Sequence, residues 1–216
     1  MIVLEGVTKY YRLPGRDRRW ILRDATAVIR RGDRLGILGR NGSGKSTLMR
    51  LIGGVEHPNA GRVERRMSVS WPLAHGIGVH GMLTGADNAR FIARIYGRPV
   101  EPMVEAVDDF AELGEYMRLP VSTYSSGMMS RLLLGLSMAM DFDCYLIDEA
   151  TSVGDQRFIE RTQVKLETKL RSAALVMVSH SAVHIRTFCR TAAILHDGTL
   201  TFFEDIDEAI ATYEAL

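Results

Sequence analysis

The chain has 216 residues, 46% of them hydrophobic and 25% charged, the balance of a globular protein able to bury a core in one large domain or two small lobes. Its formal net charge of +1 gives no electrostatic case for nucleic acid as a partner. Cys144 and Cys189 are too few for a disulfide framework, and their apolar setting suits a reducing cytoplasm.

Along the chain, the N-terminus meets an acid at Glu5, so no signal peptide is read there. Ile2 to Leu4, Val7 to Tyr11, Trp20 to Leu22 and Ala25 to Ile29 read as short strands, with an Arg/Gly/Pro-rich loop from Arg12 to Arg19. Arg12, Arg16, Arg18, Arg19, Arg23, Arg30, Arg31 and Arg34 crowd this part. They suit an anionic surface, either lipid headgroups or nucleotide, or a solvated face.

Arg34 to Leu38 is a buried strand that runs into Gly39-Arg40-Asn41-Gly42-Ser43-Gly44-Lys45-Ser46-Thr47, followed by a helix over Ser46 to Ile52. The pattern G-x-x-x-x-G-K-[ST] is a phosphate cradle. Its glycines let several backbone N–H groups turn toward one anion, and the helix dipole faces the same point. Lys45 is placed for the β- and γ-phosphates, and the Ser46 hydroxyl for Mg²⁺.

After a turn at Pro58 to Gly61, extended segments cover Arg62 to Glu64 and Met67 to Trp71, and a loop holds Pro72, Gly76, Gly78 and Gly81. Thr84 is the N-cap of a helix, with Asp87 as the reciprocal acid. Helical patterns continue to Tyr96, from Pro102 to Leu113, and from Met128 to Met140 after a Ser125-Ser126-Gly127 turn. The apolar run Leu132 to Met140 is far short of the ~20 residues needed to span a bilayer. If the protein works at a membrane, another chain does the spanning.

Strands at Cys144 to Ile147, Ala174 to Val178 and Ala192 to His196 alternate with helices at Phe158 to Leu170 and Ala182 to Cys189. Asp197-Gly198 turns the chain into a last strand, Thr199 to Phe203. The expected fold is α/β: a P-loop core with a mainly parallel sheet covered on both faces, an antiparallel β part at the N-terminus, and a helical insertion at about 84–140 forming its own lobe. Two carboxylates, Asp148 and Glu149, follow a buried strand, where ligands sit in such sheets. Asp148 is placed to hold Mg²⁺, and Glu149 to orient and deprotonate a water attacking the γ-phosphate. His180 occupies the same position after the next strand and could touch the γ-phosphate.

These parts, in this order, resemble the ATP-binding-cassette ATPases along essentially the whole chain, which would make 1–216 one ATP-binding domain. The signature reads Tyr124-Ser125-Ser126-Gly127-Met128 in place of Leu-Ser-Gly-Gly-Gln, 23 residues (148 − 125) before Asp148. The resemblance implies that Ser125 and Gly127 of one copy cap ATP held in the cradle of a second copy. It implies that Tyr11 stacks on adenine, with Tyr10 and Trp20 as rivals, and that Asp155 of Ser152-Val153-Gly154-Asp155 communicates across the dimer. Ser70-Trp71-Pro72, Leu83-Thr84-Gly85 with Asn88, and Val153-Gly154-Asp155 with Phe158 look like the subgroup that exports capsular and other bacterial surface polysaccharides.

That subgroup implies ATP hydrolysis with Mg²⁺, a peripheral location on the cytoplasmic face of the inner membrane, and a permease that docks at the 71–81 loop. The polysaccharide would be met only indirectly, because the chain reaches Leu216 soon after its last hairpin with no appended carbohydrate-binding domain. The family's Gln after Trp71 is absent, and Ser70, His75 and His80 are the candidates to replace it. The alternatives are a cassette ATPase acting on ribosomes or DNA without a membrane partner, and a small-molecule kinase.

Overall fold

A computed structural model describes residues 1–12, 14–15, 17–73, 78–148, 156–179 and 181–216. The described residues fall into two compact units. The first holds Met1–Pro72, 142–148 and Leu170–Leu216; the second holds Leu73–Asp141 and 156–169.

In the first unit, β1 (Ile2–Tyr11) is one continuous strand where two segments are expected. Irregular pairing between Leu4 and Val7 absorbs Gly6, whose φ of +56° is a bulge conformation. β2 (Arg19–Ile29) pairs with it antiparallel. β3 (Arg34–Leu38) then leads through the glycine-rich loop to α1 (Lys45–Gly53). β4 (Ala60–Arg65) pairs with the other edge of β1, giving the order β2-β1-β4. A second sheet follows the order β5-β6-β7-β3-β8-β9, with β5 at Val69–Leu73, β6 at Cys144–Asp148, β7 at Ala174–Val178, β8 at Thr191–His196 and β9 at Thr199–Phe203. The pairs β6/β7, β7/β3 and β3/β8 are parallel, and β8/β9 is the antiparallel hairpin turned by Asp197 and Gly198, both at positive φ.

β7 is buried at every position, as a parallel strand covered on both faces must be. The inward residues Leu4, Val7, Leu22, Leu48, Ile52, Leu146 and Val176 share one core, and each fully buried Leu, Ile or Val contributes about 1.5–3 kcal/mol. Cys144 and Cys189 are buried free thiols, and burial pushes both up to about 12. A short helix, α6 (Ala182–Phe188), links β7 to β8, and a terminal helix, α7 (Ile206–Glu214), follows the last hairpin and is capped by Asp205, which accepts from the amides of Asp207 and Glu208. The sequence reading has no helix there; its signal was the Asp cap with acids in the first turn.

One polar brace lies beside this core. Lys9, only 7% exposed, donates from Nζ to the His57 carbonyl and to Glu56 Oε1, both at 2.8 Å. The same Oε1 accepts from the Tyr11 hydroxyl at 2.6 Å, and Glu56 Oε2 accepts from Arg50 Nε at 3.1 Å. Partial burial acts to raise the Glu56 pKa, but the hydrogen bonds from Lys9, Tyr11 and Arg50 outweigh it and hold the carboxyl at about 2.

The second unit packs α2 (Gly85–Ile95), α3 (Val100–Ala111), α4 (Ser126–Ala139) and α5 (Gln156–Lys169). α3 ends two residues before the expected Leu113, because Glu112 takes φ +53° and stops it. α4 begins at Ser126 and not after Gly127: Ser125 is itself the N-cap, accepting from the Met128 amide at 3.2 Å. Gly135 lets α4 close on α3, since a Cβ there would lie 3.1 Å from the Val107 carbonyl. α5 joins this unit although the sequence reading groups it with the α/β part. Phe158 packs edge-on to Phe110 with Arg131 over its ring, and Arg161 pairs with Glu112.

Thr84 caps α2 as expected, accepting from the Asp87 amide and donating to its carboxylate. Asn88 is fully buried and accepts from the His80 amide at 2.8 Å. Its amide donates to the carbonyls of His80 at 3.1 Å and Thr84 at 2.9 Å, so it stitches the turn before α2.

Two outcomes follow. Asn88→Ala empties a fully buried position and removes the acceptor of the His80 amide, and should lower unfolding stability by about 2 kcal/mol in urea titrations; a change below about 0.5 kcal/mol would show that the turn does not need it. Because Glu56 titrates far below its ordinary 4.5, its stabilisation is complete above that value and lost as pH falls toward about 2. Wild-type protein should therefore lose up to about 2 kcal/mol more than Glu56→Gln across that window, allowing for partial solvent screening. Equal acid sensitivity of the two proteins would refute this.

Candidate functional site

The glycine-rich loop leaves the C-terminal end of β3 and enters α1. Gly44 takes φ +109°, and a Cβ there would collide with the Ile21 side chain. Gly39 is crowded in the same way: its Cβ would lie 2.7 Å from both the Leu195 carbonyl and Ser43 Oγ. Only glycine fits either position. The N-terminus of α1 has no side-chain cap hydrogen bond and no acid in its first turn, which leaves the positive end of its dipole available to an anion. Ser43 Oγ is buried with no hydrogen-bond partner among the described residues. A buried hydroxyl without a partner is costly, and the neighbouring amides and the Lys45 ammonium give an oxyanion there complementary charge.

Lys45 is 9% exposed, and its Nζ donates to the carbonyls of Gly39 at 2.5 Å and Arg40 at 3.2 Å. Ser46 Oγ donates to Asp148 Oδ2 at 3.2 Å. Two residues 102 apart in sequence thus meet because β6, β7 and β3 lie side by side and parallel. A hydroxyl beside a carboxylate is a hard-oxygen pair of the kind that holds Mg²⁺ together with substrate phosphates. Among the described residues no cluster of three or more His, Cys, Asp or Glu could hold a metal unaided. The Ser46–Asp148 oxygen pair is of a kind that fits a magnesium bringing phosphate oxygens with it.

Thr47, 6% exposed, has its Oγ1 at 3.1 Å from Arg50 Nη2 and 3.4 Å from the Tyr11 hydroxyl. Of the three aromatic candidates, Tyr11 is the one against α1. Tyr10 and Trp20 pack on each other at 5.2 Å, with Arg18 over Tyr10 and Arg23 over Trp20. Asn41 and Gly42 form the exposed tip of the loop, where the Gly42 carbonyl accepts from Arg19 at 3.0 Å. Ser125 and Gly127 lie at the start of α4 in the helical unit, Ser125 exposed.

Glu149, Asp155 and His180 lie outside the described residues, as do His75 and Ser152-Val153-Gly154. The other substitutes for the absent Gln have local partners. Ser70 is buried, accepting from the Leu146 amide and donating to the Trp71 carbonyl, which ties β5 to β6. His80 Nδ1 accepts from the Met82 amide within its own turn. Sequence reasoning missed Lys9, Arg50 and Glu56. The only local hint was the alternation of Val7, Lys9 and Tyr11, which puts the lysine on the inward face.

A family model described as ABC transporter matches residues 22–152, more than half of the chain. The chain is 45% identical over 216 residues to the capsule polysaccharide export ATP-binding protein CtrD of Neisseria meningitidis serogroup B, with all of both chains covered. It is 40% identical over 217 residues to the polysialic acid transport ATP-binding protein KpsT of Escherichia coli, covering 99% of this chain and 96% of the relative. The dimeric ATP-binding cassette MJ0796 bound to ADP and Pi has the same fold, with a TM-score of 0.78 at 22% identity over 93% of this chain and 96% of that one. Motif, topology and likeness over the full length agree: the chain belongs to the ABC transporter family and has the α/β fold of its ATP-binding cassettes.

Proposed function

We propose that this chain is the ATP-hydrolysing subunit of an exporter of capsular or other surface polysaccharide, with 1–216 acting as one cassette. The observation that carries the reading is the hydrogen bond between Ser46 and Asp148, set beside the uncapped α1 and the unpartnered Ser43 hydroxyl. In this reading the loop amides of residues 39–47 and Lys45 hold the β- and γ-phosphates. Ser46 and Asp148 hold Mg²⁺, which when bound neutralises phosphate charge. Glu149 orients the attacking water and takes its proton, and His180 holds water and γ-phosphate in line. Tyr11 takes the adenine. Positioning and charge stabilisation supply most of the rate in such phosphoryl transfer.

The active form is a head-to-tail pair in which Ser125 and Gly127 of one copy close on the γ-phosphate in the other, with Asp155 reporting across the interface. Ser125 at the N-cap of α4 supports this, because a helix start with an exposed hydroxyl is suited to an anion. A membrane-spanning permease docks at the 71–81 loop on the cytoplasmic face of the inner membrane. Exposed Met82 (76%) and Leu83 (38%) directly after that loop support an apolar contact there. No described helix is long and apolar enough to cross a membrane; in this reading the spanning belongs to the partner. The export functions in the names of the full-length relatives favour this reading over a ribosome- or DNA-acting cassette. Polysaccharide meets this subunit only through the permease.

Glu149→Gln should retain ATP binding, lower hydrolysis by about 10²- to 10⁴-fold and accumulate as an ATP-bound dimer in size-exclusion chromatography. Hydrolysis at the wild-type rate would remove Glu149 from the catalytic role.

A further inference from the structure

We infer that Glu56 is a positioning residue for the nucleotide, joining the base end of the site to the phosphate end through its two carboxylate oxygens. The inference rests on the nucleotide reading above and goes beyond it, since Glu56 lies outside every motif of the cradle. Its Oε1 takes the Tyr11 hydroxyl at 2.6 Å and Lys9 Nζ at 2.8 Å. Lys9 also stands 5.3 Å from the centre of the Tyr11 ring. The ring is thus held at its hydroxyl by an acid and on one face by a cation, fixed in place and tilt before any base arrives. Glu56 Oε2 takes Arg50 Nε at 3.1 Å, and the same guanidinium donates to Thr47 Oγ1 at 3.1 Å. Thr47 is the last residue of the cradle. One carboxylate therefore sets an aromatic on β1 and a hydroxyl on α1.

The physical effect is preorganisation. A half-buried tyrosine that must be ordered on binding forfeits affinity, whereas one already locked does not. The charge matters as well as the hydrogen bonds. Lys9 and Arg50 are cations beside a half-buried aromatic, and Glu56 stays ionised among them well below neutral pH, so the brace is intact over the whole physiological range. The same arrangement explains why a tyrosine, and not merely an aromatic, stands at position 11.

The test compares wild type, Tyr11→Phe, Glu56→Gln and the double variant by calorimetric Mg-ATP binding and steady-state hydrolysis. Tyr11→Phe keeps the ring and loses only its hydroxyl; Kd and KM for ATP should rise about three- to tenfold with kcat within about twofold. Glu56→Gln should weaken ATP by at least as much, and the double variant should be no worse than Glu56→Gln alone, because both changes break one linkage. Tyr11→Phe binding ATP like wild type, kcat falling while KM stays fixed, or additive effects in the double variant would each overturn the inference. If Glu56→Gln does not fold, Tyr11→Phe decides by itself. Wild-type protein that fails to bind ATP would instead defeat the nucleotide reading, an outcome distinct from wild-type binding that Tyr11→Phe leaves unchanged.

Discussion

A helix entered from a buried parallel strand through a short glycine-rich loop, with no side chain capping it, has its first amides pointing at one spot. This is the constraint on which the rest of the first unit depends. β3 is fixed by neighbours on both sides, β7 and β8, so the loop after it cannot relax toward some other cap. Gly39 and Gly44 occupy backbone positions closed to any side chain. The concavity is therefore imposed by packing, and Lys45 is drawn into it because its ammonium finds carbonyls there.

The parallel order of β6, β7 and β3 does a second thing. It brings strand ends from distant parts of the sequence to the same edge, so that the carboxylate that ends β6 reaches a hydroxyl at the head of α1. Neither residue is buried enough to lose its hydration entirely. The antiparallel sheet adds a second wall beside α1. β1 carries Lys9 and Tyr11 on its inward face, and the loop after α1 supplies the acid that pins them.

What was legible in the sequence is what is local. The cradle is nine consecutive residues, and its strand and helix flanks follow from a short apolar run and a 3.6-residue pattern. The hairpin at Asp197-Gly198 and the Thr84 cap have equally short signals. The brace around Glu56 does not: its partners on β1, Tyr11 and Lys9, lie 45 (56 − 11) and 47 (56 − 9) positions away, and no spacing rule connects them. The start of α4 was misplaced because Ser125-Ser126-Gly127 is as good a turn as it is a helix start, and only the bond from the Met128 amide to Ser125 decides. α5 was grouped with the sheet because strand–helix alternation assigns it there; its loyalty is set by Phe158 and Arg161, whose partners are on α3 and α4. The terminal helix was overlooked for a simpler reason, since an acidic cap after a hairpin looks like an ordinary solvated tail.

The two thiols have a practical side. Both are sealed in apolar surroundings and hold their protons far above any working pH, so neither offers a thiolate to maleimide or iodoacetamide. The native chain is thus a silent background for site-directed labelling. A single cysteine engineered onto the surface can carry a spin label or dye with both natural sulfurs left in place, without first stripping the core of side chains it needs.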